Sequence, residues 1–355
     1  MIRQTYQFDI ITPCFCSGAE PEKQAEIRPA SIRGQLRWWF RVLGGFRSLA
    51  SMELRAQEDL IFGSAAGEEG SAGKLIVRVV DAPVSNDVRD DVSMKATVYD
   101  DRGYILWPLR TVQPTPRSRA VINGDVNVSQ TCHRFALHVL WRGDAARASD
   151  LKALIAVFGH LGSLGFRSRR AMGALALAHS QISLRIALSA FATPDSIDVR
   201  SLPANNPDSA INVLAQWLKK WRAHGRSNKN APERGYPGFG YAQSDHDAAE
   251  HHIGPGYRAA LGMPMMAKYG DWSAEKPDPG RQIKGRFASP ILLRPHSAED
   301  GSWLALVIFV NAMTWDADTQ IFLTPYNWPT QKRRVSLDLY EAMKSDPRLK
   351  SFPPA

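Results

Sequence analysis

The segment Arg28–Arg41, RPASIRGQLRWWFR, constrains the fold of this chain more than any other stretch. It is strongly basic, because no Asp or Glu lies between Glu26 and Glu53 while five arginines do, namely Arg28, Arg33, Arg37, Arg41 and Arg47. Its apolar residues recur at Ile32, Leu36, Trp39, Phe40 and Leu43. At about 100° per residue these share one face, which predicts an amphipathic helix.

The start of this helix is marked by Pro29, which suits a first helical position, and by Ser31 as a plausible N-cap. Gly34 inside the helix costs about 1 kcal/mol relative to alanine, so it favours close approach of another backbone. Arg33, Arg37 and Arg41 form a second stripe at i, i+4 and i+8. Two interpretations stay open: a helix presenting guanidinium groups to phosphates, or a solvated basic face.

The charge balance favours a polyanionic partner. The chain of 355 residues has 44% hydrophobic and 22% charged content, as globular proteins do, but a net charge of +9 and a pI of about 9.5. Nucleic acid is the commonest partner of such proteins, and an anionic membrane surface is less common. No apolar run approaches a spanning helix and the N-terminus lacks a signal-peptide pattern, so we expect a cytoplasmic protein.

The three cysteines are Cys14, Cys16 and Cys132. An odd number in a long chain argues for a reducing compartment and against a disulfide framework. The Cys14-Phe15-Cys16 spacing is not one that zinc sites use, so we interpret these residues as structural.

A second unusual stretch is the glycine-rich loop 159–175, GHLGSLGFRSRRAMGAL. Gly162, Gly165 and Gly173 bracket a set of three arginines, Arg167, Arg169 and Arg170. Glycines permit positive φ and close approach of backbone N–H groups to phosphate, and arginines supply charge and paired donors. An extended basic loop is also predicted at 107–119, with a solvated surface loop as the alternative.

The element order predicts an α+β fold. Alternation indicates strands at 2–11, 74–81, 131–142 and 174–188, and helical spacing indicates helices after Pro29 and from Ser149 to Gly159. This βαββαβ order is typical of a ferredoxin-like, RNA-recognition-motif-like fold. In such a fold the first helix and the glycine-rich loop could meet on one side of the sheet.

The C-terminal part predicts a second, ferredoxin-like domain. A linker at 201–210 precedes a helix at 211–222, and strands follow at 286–295 and 303–311, with a helix at 335–345 and a frayed tail. The intervening polar loop 225–256 carries His246, His251 and His252, whose spacing matches no metal motif. We predict an N-terminal domain at 1–195 and a C-terminal domain at 205–355.

Three stretches resemble the RAMP superfamily of CRISPR effector subunits, most of all the first RAMP subunit of the type III-B (Cmr) complex. They are TPCFCSGAEPE with EIRPASIRGQLRWWFR, the loop GHLGSLGFRSRRAMG, and RFASPILLRP. Two departures affect backbone geometry. The family commonly has glycine where this chain has Ala171, and adjacent glycines where it has Ser17-Gly18.

The resemblance implies a non-catalytic subunit, without a cofactor, in a type III-B ribonucleoprotein used in antiviral defence. It would lie near the 3′ end of the guide RNA, contact other RAMP subunits and help capture target RNA. The positions matching the family motifs are expected RNA contacts: Arg28, Ser31, Arg33, Arg37, Arg41, Gly165, Arg167, Arg169 and Arg170. Trp38, Trp107, Trp217 and Trp272 are stacking platforms, subunit contacts or core residues, with core as the default.

Two enzymatic alternatives compete with RNA binding. Related RAMP proteins process or cleave RNA, and His160, Glu20, Glu22 or Glu26 could supply acid–base groups, although none forms a recognisable pair. A nucleotide-binding enzyme is the other alternative. The sequence GHLGSLG, however, lacks the Gly-Lys-Ser/Thr of a P-loop and does not follow a strand, as a dinucleotide fingerprint does.

Overall fold

A computed structural model describes most of the chain. The described residues are 1–20, 23–65, 70–86, 88–89, 103, 105, 119–122, 133–178, 182–223, 232–251, 254–262, 265–267, 270–275, 284–285, 287–298, 300–315, 320–325 and 329–353. The predicted basic loop 107–119 lies outside them except for Arg119, and so do Cys132, Trp107 and His252.

The first sheet and its helices follow the predicted βαββαβ order with one additional helix, which comes after the first. The elements are β1 (Ile2–Ile10), α1 (Pro29–Val42), α2 (Leu54–Phe62), β2 (Leu75–Val80), β3 (Arg134–Trp141), α3 (Ala148–Leu161) and β4 (Leu175–Leu177). The sheet has the strand order β4-β1-β3-β2, and every pairing is antiparallel. Placing the fourth strand beside the first and the third beside the second is the ferredoxin-like arrangement.

Alternation along β1 separates two faces of this sheet. Phe8 stacks on Phe135 of β3 with ring centroids 5.4 Å apart, and Phe158 of α3 lies 5.5 Å from Phe8. The other face of β1 exposes Arg3, Thr5 and Gln7. One face therefore packs on α3, as the period-2 pattern of residues 2–11 predicts.

Helix α1 confirms the predicted amphipathic helix. Its apolar set is buried: Ile32, Leu36, Trp39, Phe40 and Leu43. The N-cap is Arg28, with Pro29 at the first helical position, so the prediction of Ser31 as N-cap is wrong. Gly34 is exposed and a Cβ added there would meet nothing within 4 Å, so the expected close backbone approach is also wrong.

Helix α3 begins at Ala148 and ends at Leu161, two residues beyond the predicted end. The strand predicted at 174–188 is mostly wrong, because β4 covers only Leu175–Leu177 and a helix, α4, covers Leu184–Ser189. The hydroxyl of Ser183 accepts a hydrogen bond from the Ile186 N–H at 3.4 Å and caps this helix.

Three short antiparallel pairings accompany this part of the chain. They join Ala25–Glu26 to Val84–Ser85, Gly63–Ser64 to Ser71–Ala72, and Val88–Arg89 to Arg119–Ala120.

The same strand order recurs in a second four-stranded sheet. Its elements are β5 (Ile197–Ala204), α5 (Pro207–Arg222), β9 (Ile291–Ser297), β10 (Trp303–Val310), α7 (Asp338–Lys344) and β13 (Lys350–Ser351). The sheet order is β9-β10-β5-β13. Strands 286–295 and 303–311 and helix 335–345 are thus confirmed with shifted ends.

Two predictions fail around this sheet. The linker predicted at 201–210 is wrong because its first half belongs to β5 and its second half begins α5. The prediction of a frayed tail is wrong for two residues. Ser351 is in β13, and the N–H of Phe352 donates to the Val199 carbonyl at 2.9 Å.

A third sheet carries the order β6-β7-β11-β12, with β8 paired to β7. These strands are β6 (Met265–Ala267), β7 (Gly270–Glu275), β8 (Lys284–Gly285), β11 (Gln320–Pro325) and β12 (Gln331–Arg334). A helix, α6 (Phe239–His251), replaces much of the predicted polar loop. Its buried residues are Ala242, Asp245, Ala248 and Ala249. Because three of these are alanines, the sequence shows little of the apolar periodicity that predicts a helix.

The chain divides into two compact units, each built from separate segments. Unit 1 contains 1–214, 293–308 and 351–355, and unit 2 contains 215–292 and 309–350. The domain boundaries 1–195 and 205–355 stay a prediction. Within the described ranges, no helix has the length and apolar character needed to cross a membrane.

Candidate nucleic-acid interface

The first two stretches that carry the family resemblance, and the end of the third from Leu293, meet in unit 1. The N–H of Gly173 donates to the Pro13 carbonyl at 2.9 Å, and the N–H of Phe166 donates to the Phe15 carbonyl at 3.0 Å. From β9, the Leu293 carbonyl accepts from the Ala171 N–H at 2.9 Å. The glycine-rich loop is therefore held from both sides by segments distant in sequence.

Thr12 locks the end of this loop. Its hydroxyl donates to the Ala171 carbonyl and accepts from the Ala174 N–H, both at 2.9 Å. The residue is wholly buried. The hydroxyl acts as both donor and acceptor, so it satisfies two buried backbone groups of the loop, the Ala171 carbonyl and the Ala174 N–H.

Four loop residues have positive φ: Gly165 (82°), Arg167 (63°), Ala171 (70°) and Gly173 (64°). A Cβ on Gly173 would lie 1.9 Å from the Leu164 carbonyl oxygen, and one on Gly165 would lie 2.8 Å from the Phe15 backbone. These two glycines are thus needed for the loop to pack on the protein's own backbone. Ala171 adopts the left-handed geometry that its glycine counterpart in the family suits better.

The arginine stripe of α1 contacts α2. Arg37 and Arg41 both donate to the carboxylate of Glu58, and Arg33 donates to the Phe62 carbonyl in the last turn of α2. The side chain of Glu58 is 6% exposed, whereas those of Arg37 and Arg41 are 37% and 55% exposed. One buried carboxylate is therefore shared by two guanidinium groups that still reach solvent.

Electrostatics at Glu58 favour its charged form. Burial raises the pKa of Glu58, but hydrogen bonds from Arg41 and Arg37 outweigh it, so the pKa lies below its ordinary value. The pKa of Arg41 is raised by its hydrogen bond to Glu58. The stripe is held in place as charged groups.

Arg28 and Ser31, at the start of α1, are exposed. Arg28 Nε lies 3.7 Å from a carboxylate oxygen of Glu26, a distance of weak pairing at the surface.

The loop arginines are half-buried. Arg169 lies over the indole of Trp38, 5.4 Å from the ring centroid, and burial lowers the pKa of Arg169. Arg167 donates to the Ile105 carbonyl, and Arg170 donates to the Arg169 carbonyl at 3.1 Å. Trp38 is itself half-buried and packs edge-on against Trp39 at 4.7 Å. The structure thus brings α1 and the glycine-rich loop together at Trp38 and Arg169.

Sequence reasoning missed three residues that organise this region: Thr12, Glu58 and Arg294. Arg294 is 1% exposed and donates to the Gly159 carbonyl at 3.0 Å and to the Leu175 carbonyl. Burial lowers the pKa of Arg294 to about 9. The only sequence signal was its place in RFASPILLRP, whereas nothing linked Thr12 or Glu58 to the loop or the stripe.

The cysteines Cys14 and Cys16 are buried free thiols beside the loop. Cys14 Sγ lies 3.6 Å from the Leu164 carbonyl, and its hydrogen bond with Cys16, together with burial, raises the pKa of Cys14. Both residues thus pack as structural groups.

The candidate acid–base groups do not converge. His160 Nε2 lies 2.9 Å from the Ile182 carbonyl, and Glu20 pairs with Lys23 at 2.6 Å. Glu26 lies near Arg28, and Glu22 is outside the described residues. Among the described residues, no group of His, Cys, Asp and Glu could hold a metal ion. His246 and His251 are described residues and belong to no such group.

Of the other candidate stacking residues, Trp217 is buried and its indole N–H donates to Asp346 at 3.0 Å. It is a core residue of unit 2, as the default interpretation predicts. Trp272 is in β7, and Trp107 is outside the described residues.

Comparison with known proteins shows similarity to one superfamily in the N-terminal half of the chain. The RAMP superfamily matches residues 7–176, which contain the turn after β1, α1 and the glycine-rich loop. Two Pyrococcus furiosus proteins, CRISPR system Cmr subunits Cmr1-2 and Cmr1-1, are each 27% identical in an alignment of 186 residues that covers 49% of this chain. The match covers 95% of Cmr1-2 and 47% of Cmr1-1.

A crystal structure supports the same fold over a longer range. Apo Cmr1 from Pyrococcus furiosus matches 94% of this chain and 98% of its own, with a TM-score of 0.54 at 15% identity. The fold prediction, mixed α and β, is confirmed. The match of residues 7–176 to the RAMP superfamily and the similarity to two Cmr subunits together support the assignment of this chain to the RAMP proteins.

Proposed function

We propose that this protein is a non-catalytic, RNA-binding subunit of a type III-B CRISPR effector complex. The similarity to two proteins named as Cmr subunits supports the proposal that it belongs to such a complex. It would lie near the 3′ end of the guide RNA, beside other RAMP subunits, and help capture target RNA for antiviral defence.

The observation that carries the proposal is the meeting of Trp38 and Arg169, 5.4 Å apart, where α1 contacts the glycine-rich loop. A half-buried indole and a guanidinium are the two groups that bind single-stranded RNA without reading sequence, by stacking and by phosphate contact. Sequence would be read by base pairing with the guide.

The arginine stripe adds charge beside this pair. Arg37 and Arg41 share the single carboxylate of Glu58, so the three groups together keep one positive charge. Arg41 is more exposed than Arg37, whereas Arg33 is half-buried against α2. We therefore rank Arg41 first and Arg33 last as phosphate contacts within the stripe.

The proposal is tested by RNA binding of an Arg41→Gln/Arg169→Gln variant, measured by fluorescence anisotropy over a salt series. Loss of two phosphate contacts should lower the slope of log K against log salt by about 1.4 for single strands. Arg55→Gln, which removes an exposed charge from α2, is the control and should change little. Unchanged affinity and slope in the double variant would contradict the proposal.

The non-catalytic role is tested separately. Labelled RNA incubated with the purified protein, with and without divalent metal, should stay intact. Cleavage that disappears in a His160→Ala variant would favour the endoribonuclease alternative.

A further inference from the structure

The face of the first sheet that points away from α3 carries a second basic surface. Pairing places Arg3 of β1 opposite Leu140 of β3, and Leu140 opposite Ile76 of β2. The next row contains Thr5, His138 and Arg78. Directly paired residues point to the same face, so these six side chains share the face opposite Phe8 and Phe135.

This basic face extends one step beyond the ladder. The N–H of Arg142 donates to the Lys74 carbonyl at 3.0 Å, which continues the β2–β3 pairing. By alternation from Arg78 and His138, Lys74 and Arg142 belong to the same face. All four cations, Arg3, Lys74, Arg78 and Arg142, are exposed.

These charges are not neutralised within the described part of the chain. None of the four forms an ion pair or a side-chain hydrogen bond with a described residue. On this face Asp9 is at the far end of β1, where it pairs with Arg134 at 2.6 Å. The end of the sheet near Arg3 is therefore strongly electropositive.

We propose that this basic face, formed by Arg3, Lys74, Arg78 and Arg142, is a second RNA-backbone contact of the protein. Adjacent strands are about 4.8 Å apart and alternate residues about 7 Å apart. The four cations are thus spread too widely to converge on one small anion, but suit successive phosphates of a strand. The two central rows contain no Phe, Tyr or Trp, and their one ring is the imidazole of His138, so we assign the four cations to the RNA backbone.

The basic face includes the start of β1, whereas the segment that holds the glycine-rich loop follows the end of β1. Arg3 is near the start of β1, whereas Thr12, which holds the glycine-rich loop, follows its end. Nine residues of extended chain span about 30 Å. A long RNA can contact both places, and a short one can contact only one.

The inference rests on the proposed RNA binding by the protein, and its test distinguishes a failure of the basic face from a failure of RNA binding itself. The affinity of Arg3→Gln/Arg78→Gln for RNA of about 16 nucleotides is compared with that for about 4 nucleotides, by anisotropy over a salt series. We expect about tenfold weaker binding of the long RNA near 0.1 M salt and a slope lower by about 1.4. Trp38→Ala should weaken binding of both lengths.

Arg55→Gln/Arg234→Gln removes two exposed charges elsewhere and should keep the parent slope. Lys74→Gln/Arg142→Gln is a second variant of the basic face, should the first fail to fold. If the parent binds RNA but both variants keep its affinity and slope, the inference is overturned. Loss of assembly with an acidic protein subunit at unchanged RNA affinity would overturn it in favour of a protein partner. If the parent binds no RNA, the proposed function itself fails.

Discussion

The hydroxyl of Thr12 donates a hydrogen bond to the carbonyl of Ala171 at 2.9 Å, joining the end of β1 to a loop 159 residues away. The same oxygen accepts from the Ala174 N–H. Thr12→Val keeps the shape of the side chain but leaves two buried backbone groups without partners. We expect a loss of about 2–4 kcal/mol in the free energy of unfolding, measured by urea denaturation.

Thr5→Val is the matched control for this change, because Thr5 is an exposed threonine on β1, the strand that precedes Thr12. It should alter stability by less than about 0.5 kcal/mol. Equal effects of the two substitutions would show that the hydrogen bonds of Thr12 contribute nothing particular.

The positive φ of Ala171 leads to a second prediction, about the stability of glycine variants. Ala171→Gly removes a buried methyl group but also relieves left-handed strain of about 1–2 kcal/mol, so stability should change by less than about 1 kcal/mol. Ala174 is equally buried and is not among the residues of positive φ. Ala174→Gly should therefore cost about 1–2 kcal/mol. Thermal unfolding of the two variants gives the comparison, and a larger loss at Ala171 would contradict it.

Glu58 should make the free energy of unfolding depend on pH in the acid range. Its pKa is below the ordinary value in the folded protein, so its contribution is present above about pH 4.3 and is lost as the pH falls through the folded-state pKa. Glu58→Gln should remove that part of the pH dependence and cost about 1–2 kcal/mol at neutral pH. Stability is measured by denaturation from pH 3 to pH 7.

Glu53→Gln, at the exposed N-cap of α2, controls for the loss of one carboxylate. It should keep the acid dependence of the parent protein. If Glu58→Gln keeps that dependence too, the pairing with Arg37 and Arg41 does not stabilise the fold.

Gly34 offers a gain in stability. It lies in the interior of α1 with open space around its Cβ position, so Gly34→Ala should stabilise the protein by about 1 kcal/mol. Gly159 in α3 is the contrast, because a Cβ there would lie 2.6 Å from the Leu177 Cβ. Gly159→Ala should lower the melting temperature while Gly34→Ala raises it, and a fall in both would contradict the prediction.

The strands and helices with a clear period could be predicted from the sequence. In β1 and α1 the buried residues follow the period of 2 or 3.6, because each element has one face on a core. The glycine-rich loop was recognised by composition. Its neighbours were not, because Pro13, Phe15 and Leu293 contact it through backbone groups, which leave no mark on residue type.

The failures have physical causes as well. Residues 174–188 alternate, but the side chain of Ser183 caps a helix that buries Leu184 and Ala187 three residues apart. Helix α6 buries alanines, whose small side chains give little periodic signal. The arginine stripe was identified, yet its partner Glu58 could not be, because pairing between two helices depends on how they pack.

Contact between Leu293 and the glycine-rich loop has a consequence for synthesis. The ribosome adds residues from the N-terminus at about 5–20 per second, and the first sheet, α1 and the loop emerge early. The β9 strand, whose Leu293 bonds Ala171 and Arg169, emerges much later. A nascent or truncated chain that stops before β9 therefore contains every residue of the loop but lacks one of the two segments that shape it.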